Sequence, residues 1–313
     1  MRRKFIICLI VIFCMICFTE QLSSKSILER FSLKLSGGCG NMAVGDLNTY
    51  YDSRQNFFDK YISYMQEFGA IGSRTGDVPH LDKGRDMLAE LMVHLTKNFA
   101  LSIGYGTMNR RAESEVVLSL QVPDYPEYSE TVTWRPKPEI VVHPLLFSAY
   151  YFLPVIKKLD VYFTAGVGVY YGTQSWEATM LFVGEGYPAS DHETGHFKGT
   201  GFGFHGGIGA EFKICSWIAI FLEGRARSAS IKELKGDWNL YYDEYSLNRS
   251  GTIWYVESES FEFEGLIEKD YLVQEDKPDE FWIDSVRNWK VDLSGVSGFI
   301  GIRIYFGKRN KEN

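Results

Sequence analysis

Apolar and polar residues alternate with a period of two along several segments of the chain. In the clearest segment, VYFTAGVGVYY at 161–171, apolar side chains at odd positions alternate with tyrosine, threonine and glycine. This period is typical of a β-strand with one apolar face. The same alternation predicts eight strands, near residues 30–38, 84–96, 98–110, 137–153, 160–173, 198–213, 217–232 and 290–306.

The connections between these strands alternate strictly between short and long. Strands two and three, four and five, and six and seven are joined by a few residues each, whereas the other links are about 45, 26, 24 and 57 residues long. Short turns at one end and long loops at the other are typical of bacterial outer-membrane barrels. The sequence therefore predicts an all-β fold, an eight-stranded antiparallel transmembrane β-barrel that forms one domain over residues 25–313.

In such a barrel the apolar strand faces meet lipid and the opposite faces fill a narrow lumen. The lumen faces carry four fixed positive and three negative charges that can neutralise one another, together with two histidines: Lys34, Glu90, Glu211, Glu223, Arg225, Arg227, Arg303, His94 and His205. A soluble ligand-binding barrel would normally invert this pattern, with an apolar cavity and a polar exterior. The distribution favours a membrane protein.

The N-terminus has the composition of a secretory signal. Three basic residues precede an uncharged run at 5–18, after which the chain turns polar, so we predict a signal peptide over residues 1–24. The run is shorter than the roughly 20 residues a spanning helix needs. Neither Cys14 nor Cys17 follows a small residue, so no lipid anchor is expected.

The last predicted strand ends in FIGIRIYF, and its Gly301, Ile304 and Phe306 resemble the C-terminal signal read by the bacterial barrel-assembly machinery. Phe299, where a polar residue is usual, and the seven residues after Phe306 depart from that signal. Together with the signal peptide and loop alternation, the chain resembles the eight-stranded outer-membrane barrels of the OmpA, OmpX and OmpW types. The resemblance covers nearly all the mature chain at the level of architecture. It implies a monomer in the bacterial outer membrane, in contact with lipids and lipopolysaccharide, with the assembly machinery as a partner during biogenesis.

Charge and cysteine content narrow the possibilities. The chain carries a net charge of −7, and loss of three basic residues and one acidic residue with the signal peptide makes it −9. Such acidity argues against nucleic-acid binding. Cys39 and Cys215 fall at opposite ends of the predicted apolar band, beyond the roughly 7 Å that a disulfide tolerates between Cα atoms. We expect both thiols to be free.

The first long loop contains aromatic and aliphatic residues at helical spacing, which predicts an amphipathic helix of about 23 residues that Asp46 caps and Gly69 ends. Its apolar stripe is expected to pack on the barrel mouth. The alternative is that it lies in the membrane interface or recognises a partner.

The last long loop, 237–284, has 14 acidic and three basic residues. We expect a solvated loop, partly a β-hairpin, that does not span the membrane, because both faces of TIWYVESESFEFEG carry glutamates. A weak divalent-cation site is the alternative, near Glu257, Glu259, Glu262 and Glu264.

The stretch HETGHFKGTGFGFHGG at 192–207 contains the HExxH signature of zinc peptidases and a GxGxxG signature of dinucleotide sites. Zinc binding needs a helix, which the surrounding glycines disfavour, and the dinucleotide motif needs a helix after the glycines. We instead expect a surface loop that ends near Lys198, followed by a wall strand with inward glycines.

A small charged lumen and long loops favour a structural or surface-interaction outer-membrane protein whose specificity lies in its loops. A narrow channel or carrier for small apolar compounds is the alternative that the OmpW type permits, and it requires a gap in the wall or a hydrophobic funnel. A lipid-modifying enzyme would need a nucleophile paired with histidine near the outer rim. His143 lies near that rim, but Ser148 falls on the opposite strand face. We therefore expect no enzyme activity, no catalytic residues, no cofactor and no metal.

Overall fold

The computed structural model describes residues 27–123, 129–184, 188–242, 245–260 and 265–306. The expected signal peptide and the C-terminal tail lie outside the described residues. The described chain contains a 3-10 turn, Ile27–Arg30, one α-helix, α1, and fifteen strands. The prediction of a mostly antiparallel β fold with one helix is confirmed. No helix among the described residues has the length and apolar character to cross a membrane.

The helix α1 spans Asp46–Glu67. The strands, in chain order, are β1 Phe31–Asn41, β2 Val44–Gly45, β3 Ile71–Thr75, β4 Lys83–His94, β5 Phe99–Arg111, β6 Val116–Gln121, β7 Glu130–Ile156, β8 Leu159–Gly184, β9 Ala189–Lys213, β10 Ile218–Tyr242, β11 Tyr245–Glu259, β12 Ile267–Gln274, β13 Ser285–Asn288, β14 Lys290–Asp292 and β15 Gly295–Tyr305.

Eight of these strands pair as a closed ring. The order is β1, β4, β5, β7, β8, β9, β10 and β15, and β15 returns to pair with β1. All pairs are antiparallel, and each strand overlaps one of the eight that the sequence predicts. The connections β4–β5, β7–β8 and β9–β10 are short and lie at one end of the ring, here called the turn end; the opposite end is the loop end.

The outer surface of the ring is apolar. Side chains at alternate positions point away from the lumen and are exposed, with more than half of the surface of Met87, Phe204, Leu222 and Ile300 accessible. The intervening residues are buried inside the ring. The alternation therefore separates an apolar exterior from a polar interior, as the sequence predicts.

Strands β7 to β10 continue beyond the ring at the loop end. Each has 25 to 27 residues, whereas about 9 to 11 suffice to cross a bilayer. The extension of β7 pairs with β6, which pairs with β3, and the extension of β10 pairs with β11, which pairs with β12. This curved sheet and α1 form what we call the head.

Helix α1 lies between the two edges of the head sheet. Near β12, the Ser53 hydroxyl accepts a hydrogen bond from the amide of Lys269 at 2.8 Å. Near the other edge, Ile62 is buried against β3. Tyr51 and Phe58 pack on Trp134 of β7 at 5.8 and 5.7 Å between ring centroids, so the apolar face of the helix fills the concavity of the sheet.

The start of α1 differs from the prediction. Asp46 is the first helical residue and makes no capping bond. Its carboxylate instead accepts hydrogen bonds from Arg287 at 2.6 and 2.7 Å and from the amide of Lys290 at 2.6 Å, because β13 and β14 cross the helix N-terminus. The helix ends as expected, since Gly69 has a φ of 84° after Phe68.

Several predicted boundaries are wrong, because β7, β8 and β10 run into the head beyond the ends predicted for the strands at 137–153, 160–173 and 217–232. The segment 192–198 belongs to β9 and is not a loop, because its inward residues pack in the head although its outward residues are polar. The strand expected at 290–306 is divided into β14 and β15, with Leu293 and Ser294 between them. The hairpin expected in the acidic loop is observed as β11 and β12, and it pairs with the head extension of β10.

Candidate functional site

The predicted lumen charges form three separate clusters. The middle cluster comprises Lys34, Glu90, Glu223 and Arg225. The Lys34 amine is 3.2 Å from Glu90 Oε2 and also contacts Glu223. Arg225 donates from Nε to Glu223 Oε1 at 2.6 Å and from Nη2 to Glu90 Oε2 at 3.1 Å. All four side chains are 5% exposed or less, so two cations and two anions neutralise one another out of contact with water.

Two tyrosines complete the middle cluster. The Tyr150 hydroxyl lies 2.8 and 2.9 Å from the two oxygens of Glu90, and the Tyr162 hydroxyl donates to Glu223 at 2.9 Å. The Lys34 amine lies 4.5 Å from the centroid of the Phe221 ring, a cation–π contact. Rings and ion pairs together fill the lumen at this level.

The turn-end cluster is formed by Glu211, Arg303 and Tyr305. Arg303 Nη1 is 2.5 Å from Glu211 Oε2, and both side chains are fully buried. The Tyr305 hydroxyl donates to the other oxygen of Glu211. The Arg303 guanidinium also lies 4.9 Å from the centroid of Phe152, so a second layer blocks the lumen below the middle cluster.

The loop-end cluster holds Arg227, Asp86, Arg110 and Ser297. Arg110 Nη1 donates to Asp86 Oδ1 at 2.8 Å, and Arg227 Nη1 lies 3.5 Å from Asp86 Oδ2. Arg227 also donates to the Ser297 hydroxyl at 2.6 Å and to the carbonyl oxygen of Leu293 at 2.7 Å. This cluster contains two cations and one anion.

The pairing between β5 and β7 is interrupted. Paired residues stop at Tyr105 with Leu145 and resume at Met108 with Val142. Pro144 lies in the interruption, and proline has no amide hydrogen to donate to a neighbouring strand.

A groove of about 430 Å³ opens on the outer surface at the interruption. The groove, here called the wall groove, is bordered by exposed side chains such as Met87 and Tyr105 and by His143, whose ring stacks on Tyr105 at 5.9 Å. It also reaches the lumen-facing residues Leu88 and Gly106. A Cβ atom at Gly106 would lie 2.3 Å from the carbonyl oxygen of Met87, so glycine allows β4 and β5 to approach closely here.

Comparison with protein-family models and with curated proteins finds no match. Among solved structures, the outer membrane protein OprG from Pseudomonas aeruginosa is similar at a TM-score of 0.35 and 8% identity, over 88% of this chain and 94% of that chain. The RagAB peptide transporter is similar at a TM-score of 0.16 and 11% identity, over 88% and 40% of the two chains.

Asp86 and Arg110 are lumen residues that were not predicted from the sequence. Asp86 lies on the same strand face as Leu88 and Glu90, and Arg110 lies on the same face as Ser102 and Gly104. The period of two therefore places both residues in the lumen. Both lie at strand ends, where a polar residue is equally consistent with a loop. The predicted C-terminal signal residues lie on or after β15, where Gly301 faces the lumen and Ile304 and Phe306 the exterior.

The HExxH residues lie on an extended strand. His192 and His196 share the outward face of β9, about 13 Å apart at the usual rise, and Glu193 faces the opposite way. That spacing prevents both histidines from binding one metal ion. Within the described ranges no group of three or more His, Cys, Asp or Glu side chains can hold a metal. Glu262 and Glu264 of the alternative cation site lie outside those ranges.

Glu193 instead organises the centre of the head. Its Oε1 atom accepts hydrogen bonds from the indole of Trp176 at 2.6 Å, from the indole of Trp238 at 2.9 Å and from the hydroxyl of Tyr271. Burial raises the pKa of Tyr271 well above its usual value, and the Glu193 carboxylate adds to the effect. The hydroxyl therefore remains a donor that holds β12 against β9.

Ser148 pairs with a histidine other than the one considered from the sequence. Its hydroxyl lies 2.8 Å from Nε2 of His205, inside the ring, and both residues are buried. His143 lies on the outside of the wall, against Tyr105. Ser148 and His143 therefore lie on opposite sides of the wall.

Proposed function

We propose that this chain is a bacterial outer-membrane β-barrel protein with a blocked lumen, which acts in envelope structure or surface interaction through its head. The apolar exterior of the eight-strand ring supports insertion in a bilayer, because exposed Met87, Phe204, Leu222 and Ile300 would be costly in water. The turn end would face the periplasm and the head the outside. Lipids and lipopolysaccharide would surround the ring, and the protein would be a monomer.

The stacked charge clusters carry this proposal. An eight-stranded barrel has an interior just wide enough for side chains. Here the turn-end and middle clusters occupy it with buried, mutually neutralising ions. A solute crossing the lumen would have to displace at least four ion pairs, which favours a plug over a pore. The proposal includes no catalytic step and no cofactor.

The head supplies the surface for interaction. Its outward side exposes Tyr64, Phe68 and Ile71 near the end of α1, and Phe281 is almost completely accessible. The 237–284 segment adds a strong negative charge. A partner would therefore meet aromatic side chains within an acidic surface.

Two measurements test this proposal. Protein extracted from outer membranes should migrate differently on gels before and after heating, as a folded barrel does. In planar bilayers the same protein should give no stable large conductance. Persistent open channels would contradict the blocked lumen, and absence from the outer-membrane fraction would contradict the location.

A second candidate function rests on the wall groove. A groove that interrupts the wall within the apolar belt would allow a small apolar compound to move between the head side of the lumen and the lipid. The groove is lined mainly by apolar atoms from Leu35, Met87, Ala89 and Tyr105. The interrupted pairing and the apolar groove support the carrier alternative, which requires a gap in the wall.

Substitution at Pro144 tests the carrier function. Pro144→Ala restores an amide hydrogen and should allow β5–β7 pairing to continue, so binding of a fluorescent apolar probe by the protein in liposomes should fall several-fold. Pro136→Ala, in the head part of the same strand, is the matched control and should leave binding unchanged. Equal binding by both variants would exclude the wall groove as the entry site.

A further inference from the structure

A small cavity lies inside the ring between the middle and loop-end clusters. Its volume is about 30 Å³, enough for one or two water-sized groups. Its polar lining comes from Asp86, Tyr170, His205, Arg225 and Arg227, and the rest of the lining is apolar, including Leu146 and Phe299. Met87 and Leu88 line both this cavity and the wall groove, so the two are neighbours at the wall, but the charged side chains belong to the cavity alone.

Two lining residues have nitrogen atoms without a hydrogen-bond partner among the described residues. Arg225 uses Nε and Nη2 in the middle cluster, but its buried Nη1 is unpartnered. His205 Nδ1 is likewise unpartnered. When Nε2 accepts from Ser148, the neutral ring carries its proton on Nδ1. Two residues that line the cavity therefore each have a buried donor whose burial without a partner is costly.

The charges around the cavity do not balance. The middle cluster is neutral, as is the turn-end pair of Glu211 and Arg303. The loop-end cluster has Arg110 and Arg227 against Asp86 alone, an excess of one positive charge. Near the turn end of the ring, Asp160 forms an ion pair with Lys213, so these two residues contribute no net charge. Burying an unpaired charge costs several kcal/mol, and a counter-ion removes much of that cost.

We propose that this cavity binds a small monovalent inorganic anion, with chloride as the natural occupant. The unpartnered N–H groups of Arg225 and His205 would donate to it, and Arg227 would supply the excess charge. The Asp86 carboxylate also lines the cavity, but it already accepts hydrogen bonds from Arg110, Arg227 and Ser297. The volume suits a halide, and two donors with one excess charge match a single negative charge.

The anion links the two clusters. The middle cluster lies on β1, β4 and β10, and the loop-end cluster adds β5 and β15. An ion held by Arg225 and Arg227 on β10 and by His205 on β9 would stabilise the folded ring, since a ligand that binds only the folded state raises its stability by mass action.

Thermal unfolding of the detergent-solubilised protein tests the proposal. Melts are followed by circular dichroism at constant ionic strength, with sodium chloride or bromide replacing sodium gluconate. The midpoint should rise by roughly 5 °C over the range tested and should increase with the logarithm of the halide concentration above the dissociation constant. Equal midpoints in halide and gluconate at every concentration would mean that the cavity holds only water and would overturn the proposal.

Two lumen variants and a surface control locate the effect. His205→Leu removes one donor and should raise at least tenfold the halide concentration needed for the same rise in midpoint. Leu146→Phe fills the cavity and should abolish the halide response while the protein still melts cooperatively in gluconate. Leu222→Phe, on the lipid-facing side, should keep the wild-type response. An unchanged response in His205→Leu and in any folded Leu146→Phe protein would place the halide elsewhere and refute this site.

A crystal grown in bromide gives an independent answer. An anomalous peak within hydrogen-bond distance of Arg225 Nη1 and His205 Nδ1 is the expected result. Density for water alone in the cavity, or bromide confined to the protein surface, would refute the assignment.

Discussion

Removal of Lys34 should destabilise the ring strongly. Lys34→Met keeps the approximate length of the side chain but leaves Glu90 and Glu223 with Arg225 as the cluster's remaining cation. At 3.2 Å and an effective dielectric constant of 20, the attraction between Lys34 and Glu90 is about 5 kcal/mol. Relief of the amine's own desolvation and of its repulsion from Arg225 offsets part of this. We expect a net loss of about 3 to 5 kcal/mol, the usual cost of removing one partner of a buried pair.

A double substitution separates charge from packing. Lys34→Met with Glu223→Gln restores a neutral cluster, so more than half of the lost stability should return. Lys232→Met, at an exposed lysine of β10, should change stability by less than about 0.5 kcal/mol. Urea unfolding in lipid vesicles, followed by tryptophan fluorescence and gel mobility, measures all three variants. A loss below about 1 kcal/mol for Lys34→Met, or strictly additive losses in the double variant, would refute this account of the middle cluster.

Three further outcomes test the head and the topology. Ile62→Ala should destabilise the head by about 2 to 4 kcal/mol through the cavity it leaves, measured by protease protection, whereas exposed Tyr64→Ala should be nearly neutral. Because the folded-state pKa of Tyr271 is raised, its contribution to head stability should be complete below pH 10 and decline above it, and Tyr271→Phe should reduce that decline in protease assays at pH 8 and 11. Cys215, exposed in the β9–β10 turn, should react with an impermeant maleimide only after the outer membrane is permeabilised; labelling in intact cells would invert the topology.

The ring could be predicted from the sequence because its strands alternate between apolar outward residues and lumen-facing residues. Phe204 is exposed on the outer surface whereas its neighbour His205 is buried in the lumen, and the same period of two recurs in nearly every ring strand. This alternation ends where the strands extend into the head. In β9, His192 and His196 face outward as polar residues, and this segment reads as a loop although it is a strand.

The sequence did not predict which lumen charges form ion pairs with one another. Parity assigns Lys34 and Arg303 to the lumen, but their partners depend on register between strands that are distant in sequence. Lys34 lies opposite both Arg303 and Glu90 in the pairings, yet it bonds Glu90 and Glu223. The partner of Lys34 is determined by where each strand lies around the ring. The interruption at Pro144 was similarly invisible, since proline alone does not indicate which neighbouring strand loses a partner.

The position of α1 constrains the order of folding. The helix follows the first ring strand, but its contacts with Lys269 and Arg287 join residues 216 and 241 positions apart. Closure of the ring also joins residues far apart in the sequence, because β1 pairs with β15. Contacts of such large sequence separation form late. The aromatic contacts of Tyr51 and Phe58 with Trp134 of β7 can form earlier, but the helix keeps its bonding groups for β12 and β13 open until the last quarter of the chain is present.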